Sequence, residues 1–90
     1  MKKQVRVYYS GAVQGVGFRF TARDVADDLG ISGWVKNLRN GQVEVVAEAE
    51  EEILKEFLSK INKYFSGYIK DIDIQWSNAA DEFKDFRIMF

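Results

Sequence analysis

Residues 31–49 read ISGWVKNLRNGQVEVVAEA, with Asn40-Gly41 at the centre, one of the stronger short-range signals for a turn between two antiparallel strands. The pairing can be worked out from the side chains. A two-residue loop would set Lys36 opposite Val45 and mix charge with core on one face. A three-residue loop with Gly41 in the left-handed conformation instead sets Val35 opposite Val45 and Lys36 opposite Glu44, the latter as a cross-strand ion pair. The second register is expected. It places Asn37 near the strand end, opposite Val43 and on the same face as Val35.

Outward from this hairpin, the remaining elements fall into order. On the amino-terminal side, Phe18, Ala22, Val25, Ala26 and Leu29 line one side of a helix that Gly30 can end in the left-handed conformation. Thr21 to Asp24 has the shape of a capping box, but a start at Phe18 completes the apolar stripe and is preferred. Before it, Val5, Val7 and Tyr9 alternate with Arg6, Tyr8 and Ser10 as a strand with one buried face. On the carboxyl-terminal side, Ile53, Leu54, Phe57, Leu58 and Ile61 mark a second helix, with Glu50 to Glu52 at its start, where the helix dipole favours anions. Ile72, Ile74 and Trp76 alternate as a fourth strand, and FKDFRIMF supplies a short fifth. Strand, helix, strand, strand, helix, strand is the α+β order of the split βαβ, or ferredoxin-like, sandwich, with two helices on one face of a mostly antiparallel sheet. Right-handed crossovers leave the first and second strands parallel with the third between them. The segment after the first strand and Asn37 then emerge at one edge, on the helix-covered side.

Composition bounds the chemistry. Ninety residues, 47% of them hydrophobic, suffice for one domain, residues 1–90, with one core. No apolar run is long enough to span a bilayer and the amino terminus has no leader-like segment, so a soluble, unexported, cytoplasmic protein is expected. The chain has neither cysteine nor histidine. That excludes thiol and imidazole nucleophilic machinery, zinc sites built on those ligands, and a phosphohistidine intermediate. Net charge is −1, yet Lys2, Lys3, Arg6, Arg19 and Arg23 precede the first acid, Asp24, while glutamates crowd the middle of the chain. Such segregation suits the steering of a small anion to one end, or is ordinary surface variation.

Residues 11–19, GAVQGVGFR, join the first strand to the first helix. Their glycines let backbone N–H groups turn inward as an anion nest, and they equally allow a plain flexible turn. The spacing is not that of a dinucleotide fingerprint, and no GK[ST] follows to make a nucleotide P-loop. Arg19 lies at the positive end of the helix dipole, an unfavourable place unless an anion sits between it and the exposed amides. A phosphate suits the guanidinium fork; a side chain reaching into water is the other possibility. Asn37 is either engaged in local turn bonding or positioned to hold a water molecule in line with a bound phosphorus. An RNA-binding sheet is disfavoured, since the third strand has no aromatic residue and carries two glutamates.

GAVQGVGFR followed by GWVKN, with NGQVEVVAEAE and the terminal FRIMF, resembles the acylphosphatases over essentially the whole chain. The resemblance implies hydrolysis of the carboxyl-phosphate bond of acyl phosphates to a carboxylate and inorganic phosphate, with no metal or cofactor. It implies that Arg19 binds the phosphate, that Asn37 orients the attacking water, and that the loop amides of Gln14, Gly15, Val16, Gly17 and Phe18 cradle the phosphate oxygens. The partners so implied are a small-molecule acyl phosphate and the phosphate product, with no nucleic acid or membrane, and a monomeric state. A non-catalytic phosphate-binding or regulatory domain of the same fold is the alternative. Two departures are visible: NKYFSGYIKD stands where many relatives carry a proline-containing loop, and Ala49 where glycine is frequent. Both are expected far from the glycine loop. The final strand is expected to bring the terminal carboxylate of Phe90 toward Arg19 as a possible ion pair.

Overall fold

Val5, Val7 and Tyr9 have no solvent-accessible surface, while the residues between them are only partly covered, the period-two pattern expected of a strand with one buried face. In the computed structural model, which describes residues 1–90, they belong to β1 (Lys2–Gly11). Then follow α1 (Phe18–Leu29), β2 (Ser32–Asn37), β3 (Val43–Glu50), α2 (Glu51–Tyr64), β4 (Ile69–Asn78) and β5 (Phe86–Met89). One five-stranded sheet has the order β4-β1-β3-β2-β5. β3 runs antiparallel to both β1 and β2, which makes those two parallel, and β5 adds in parallel beside β2. This is the α+β sandwich expected.

The hairpin register is also the expected one: Val35 faces Val45, Lys36 faces Glu44 and Asn37 faces Val43. Leu38 N–H donates to Gln42 O at 2.8 Å, closing a three-residue loop in which Gly41 has φ of 92°. The predicted Lys36–Glu44 ion pair, however, does not form. Glu44 is buried and takes its hydrogen bond from Nη1 of Arg6, on the other flank of β3. A central strand has two neighbours, and the hairpin register constrains only one.

Both helices lie where their apolar stripes require. Phe18, Ala22, Val25 and Ala26 of α1, and Leu54, Phe57, Leu58 and Ile61 of α2, are buried in a single cluster with the inner face of the sheet. Each large side chain so buried contributes about 1.5–3 kcal/mol before entropy is counted. α1 begins at Phe18 and ends on left-handed Gly30, so the Thr21 box is not its cap. β4 lies outside this cover. Its apolar row shares a face with the core residues of β1, yet Ile72, Ile74 and Trp76 stay exposed because α2 packs on β3 and β1.

The expected distance between the α2–β4 turn and the glycine loop is corrected by the structure. Ala12 N–H donates to Tyr68 O at 2.9 Å, and Phe65 stacks on Phe18 at 4.5 Å between ring centroids. The turn therefore props the start of the loop. β4 is antiparallel to β1, so its first residues necessarily meet the last residues of β1. Ala49 does lie at the far end of the sheet, opposite Lys3.

Candidate active site

Between the end of β1 and the first turn of α1, Gly15 and Gly17 both take left-handed φ, 77° and 79°. These two reversals curl the loop around its own backbone. No N–H from residues 13 to 17 donates to a protein acceptor, and the first helical bond is from Thr21 N–H to Gly17 O at 3.1 Å. Gly17 caps the helix with no side-chain bond, and the first turn holds no acid. The result is a run of free donors beside a positive dipole end.

A cavity of about 230 Å³ opens there, lined by Val13, Gly15, Gly17, Phe18, Arg19, Phe20 and Asn37. Arg19 and Asn37 arrive from α1 and β2, eighteen positions apart in the chain, because β2 lies parallel to β1 with only β3 between them and ends at the same edge. The register that put Asn37 on the face of Val35 is what turns it toward the helices rather than the open side. Its carboxamide makes no hydrogen bond to protein and Arg19 forms no ion pair, so the hydrogen-bonding capacity of both groups is free, the guanidinium touching only the ring of Phe90. None of the lining residues is acidic, which leaves a site of positive sign. Larger, more open hollows occur elsewhere, such as one of about 580 Å³ along α2 bordered by Lys55, Ser59 and Asn62, but no curled loop of free amides meets them.

The positive field of the first quarter is narrower than its charges suggest. Arg6 is bonded to Glu44, Lys2 lies 3.5 Å from Asp81, and the amino terminus lies 2.5 Å from Glu50. Burial would lower the Arg6 pKa, but its hydrogen bond and charge attraction to Glu44, with a further contribution from the neighbouring Tyr8, outweigh it, and the pKa is raised. Arg19 remains the unpaired cation of this cavity.

Of the loop residues expected at the site, Gly15, Gly17, Phe18 and Arg19 line the cavity with Asn37, whereas Gln14 and Val16 do not. Gln14 instead holds the loop in place: its Nε2 donates to Leu38 O at 2.7 Å and Gln42 O at 2.9 Å, tying the loop to the β2–β3 hairpin. Val16 packs against the core. Phe90 approaches Arg19 through its ring, 4.9 Å from ring centroid to guanidinium, and its carboxylate makes no ion pair with Arg19. Phe20 was missed by sequence reasoning. Its one signal is that it is an aromatic residue outside the apolar stripe of α1.

The model of the acylphosphatase family matches residues 5–88. Among the relatives, the acylphosphatase of Caldanaerobacter subterraneus subsp. tengcongensis is 40% identical over 89 residues, which cover 98% of this chain and 99% of that one. That of Dehalococcoides mccartyi is 43% identical, covering 93% and 94%. The crystal structure of acylphosphatase from Bacillus subtilis superposes with a TM-score of 0.90 at 36% identity, covering 98% of this chain and 99% of that one. With the family model matched from the first strand to the last, the chain belongs to the acylphosphatase family.

Proposed function

We propose that this chain hydrolyses acyl phosphates by direct attack of water, using Arg19, Asn37 and the loop amides. The observation that carries the reading is the meeting of an unpaired arginine, a free carboxamide and a curl of undonated N–H groups around one small cavity. The phosphoryl group sits in the curl, where the amides and the Arg19 fork hold its oxygens and stabilise the charge that builds on them. Asn37 holds the water in line with the phosphorus. A bond forms from the water oxygen to phosphorus as the bond from phosphorus to the acyl oxygen breaks. The carboxylate leaves with the electron pair and needs no proton, which suits a chain without histidine. The water's proton passes to the phosphoryl group or to bulk water, since no carboxylate borders the cavity. Positioning and electrostatics then account for the acceleration.

The single core of twenty buried residues supports residues 1–90 acting as one unit. A monomer working in the cytoplasm is part of the same proposal; no helix is long and apolar enough to cross a membrane. The β4–β5 connection, bonded through Ala80 and Asp81 N–H to Glu48, covers part of the sheet face on which bases would stack, which favours a small-molecule substrate over nucleic acid.

The test is hydrolysis of benzoyl phosphate in excess chelator by the wild type, Arg19→Ala and Asn37→Ala. Each variant is expected to lose about 10²–10³ in kcat/KM, the usual effect of removing one group that stabilises or positions the transition state. Inhibition by phosphate should weaken mainly in Arg19→Ala. A folded wild type that binds phosphate without turnover would instead support a regulatory binding domain.

A further inference from the structure

Phe20 lines the phosphate cavity, but its side chain brings neither charge nor a hydrogen-bond donor. It is 52% exposed in the first turn of α1 and takes no part in the core or in the side chains packed against it. The Arg23 guanidinium lies over its ring, 5.5 Å from the centroid, and Arg23 is itself 3.6 Å from Asp24. A large apolar ring held half in water by a neighbouring cation contributes little to folding here. Its position at the cavity is the informative feature.

The inner walls of the cavity are the buried Val13 and Phe18, so it opens along Gly15, Gly17 and Phe20, all exposed. Of these three, only Phe20 has a side chain. In-line displacement fixes the direction of departure: the acyl oxygen leaves opposite the attacking water. With the water at Asn37 on β2, the acyl group is directed toward the rim furnished by α1. We infer that Phe20 is the residue that selects the acyl group, its ring taking an apolar and especially an aromatic acyl moiety, with Arg23 holding the ring in place. The inference rests on the acyl phosphate reading above. It predicts a preference for aromatic over short acyl phosphates, because an aromatic group covers the open face of the ring and an acetyl group barely reaches it.

The experiment compares kcat/KM for benzoyl phosphate and acetyl phosphate in the wild type, Phe20→Ala, Phe20→Tyr and Arg23→Ala. Phe20→Ala is expected to lower the benzoyl-to-acetyl ratio about tenfold, mainly through KM, a size within the range for apolar pocket contacts. Phe20→Tyr should retain the ratio, and Arg23→Ala should lower it about twofold to threefold. A ratio that does not move in Phe20→Ala, or equal losses on both substrates, overturns the inference while leaving hydrolysis intact. Calorimetric binding of benzoylphosphonate and acetylphosphonate, which cannot be hydrolysed, separates the two readings. Should the wild type turn over neither substrate, tighter benzoylphosphonate binding that disappears in Phe20→Ala still upholds the role of Phe20, and equal binding removes it.

Discussion

Tyr9 carries an opposition between packing and polarity. Its ring is fully buried against Phe18, 4.9 Å between centroids, and its hydroxyl meets no hydrogen-bond partner in the protein. Burial disfavours the phenolate, so the pKa is pushed far above its ordinary value of 10. An acid whose pKa is raised by folding contributes its full share of stability below the unfolded value, near pH 10, and loses it as pH rises through the folded one. Stability is therefore expected to fall above about pH 10 as the unfolded chain releases the Tyr9 proton. Tyr9→Phe should raise stability at pH 7 by about 1 kcal/mol, by removing an unsatisfied buried hydroxyl, and should flatten the alkaline decline. Urea unfolding at pH 7 and pH 11 checks both; a variant less stable than wild type at pH 7 would mean that the hydroxyl has a partner in solution. The same residue marks what one sequence reveals. The alternation of Val5, Val7 and Tyr9 showed which face Tyr9 occupies, but its isolation depends on side chains from elsewhere in the fold. That Arg19 and Asn37 meet at one cavity was legible from strand order and a turn, whereas their local chemistry left two readings each and the proposed roles came from the resemblance of their motifs.

The segment between β4 and β5 crosses the open face of the sheet; Gly33 N–H holds its far end at Asp85 O, 2.9 Å, and one buried carboxylate holds its start. Glu48 is 4% exposed; its Oε2 accepts from Gln4 Nε2 and from Ala80 N–H, both at 2.8 Å, while Oε1 accepts from Asp81 N–H at 3.1 Å. Asp81 lies in the left-handed region, φ 55°, at this attachment. Glu48→Ala should cost about 2 kcal/mol, since three donors lose a charged acceptor and the exposed segment recovers part of that from water. Amide exchange supplies the readout that a general loss of stability would not imitate: Ala80 and Asp81 should exchange faster than the change in global stability explains, and equal changes throughout would show that the carboxylate does not anchor the segment. None of this attachment was legible in the sequence, where nothing marks residues 79–82 as partners of the third strand and Glu48 reads as one of its two acids. Lys36 was assigned to Glu44 for the same reason. Periodicity reports the face of a strand and a turn reports one register, whereas Arg6 and the connection come to β3 by pairings that neither signal contains. The exposed row Ile72, Ile74 and Trp76 is a third instance, a correct strand whose cover could not be read from its own alternation.

Over the molecule as a whole, the proposed phosphate site and the core make separate demands on the sequence. The helix that presents Arg19 is held by Phe18, Ala22, Val25 and Ala26, and none of these needs a charge in its first turn. Arg19 contributes no ion pair to the fold. What it makes is the stacking on Phe90, worth roughly 0.5–1 kcal/mol where exposed, set against an unfavourable interaction of roughly 0.3–1 kcal/mol with the helix dipole. These effects nearly cancel, so Arg19→Ala should unfold within about 0.5 kcal/mol of the wild type in the absence of phosphate. The contrast should come with ligand. If phosphate binds the folded loop and not the unfolded chain, as proposed, then at ten times its dissociation constant it should stabilise the wild type by about 1.4 kcal/mol. For a chain of this size that is an increase in Tm of roughly 6–11 °C, and it should largely disappear in Arg19→Ala at the same phosphate concentration. Melting curves matched in ionic strength with chloride isolate the effect from general salt screening. If the variant lost stability without phosphate and kept the shift with it, Arg19 would belong to the fold rather than to the anion, and the amides curled by Gly15 and Gly17 would have to hold the phosphate unaided.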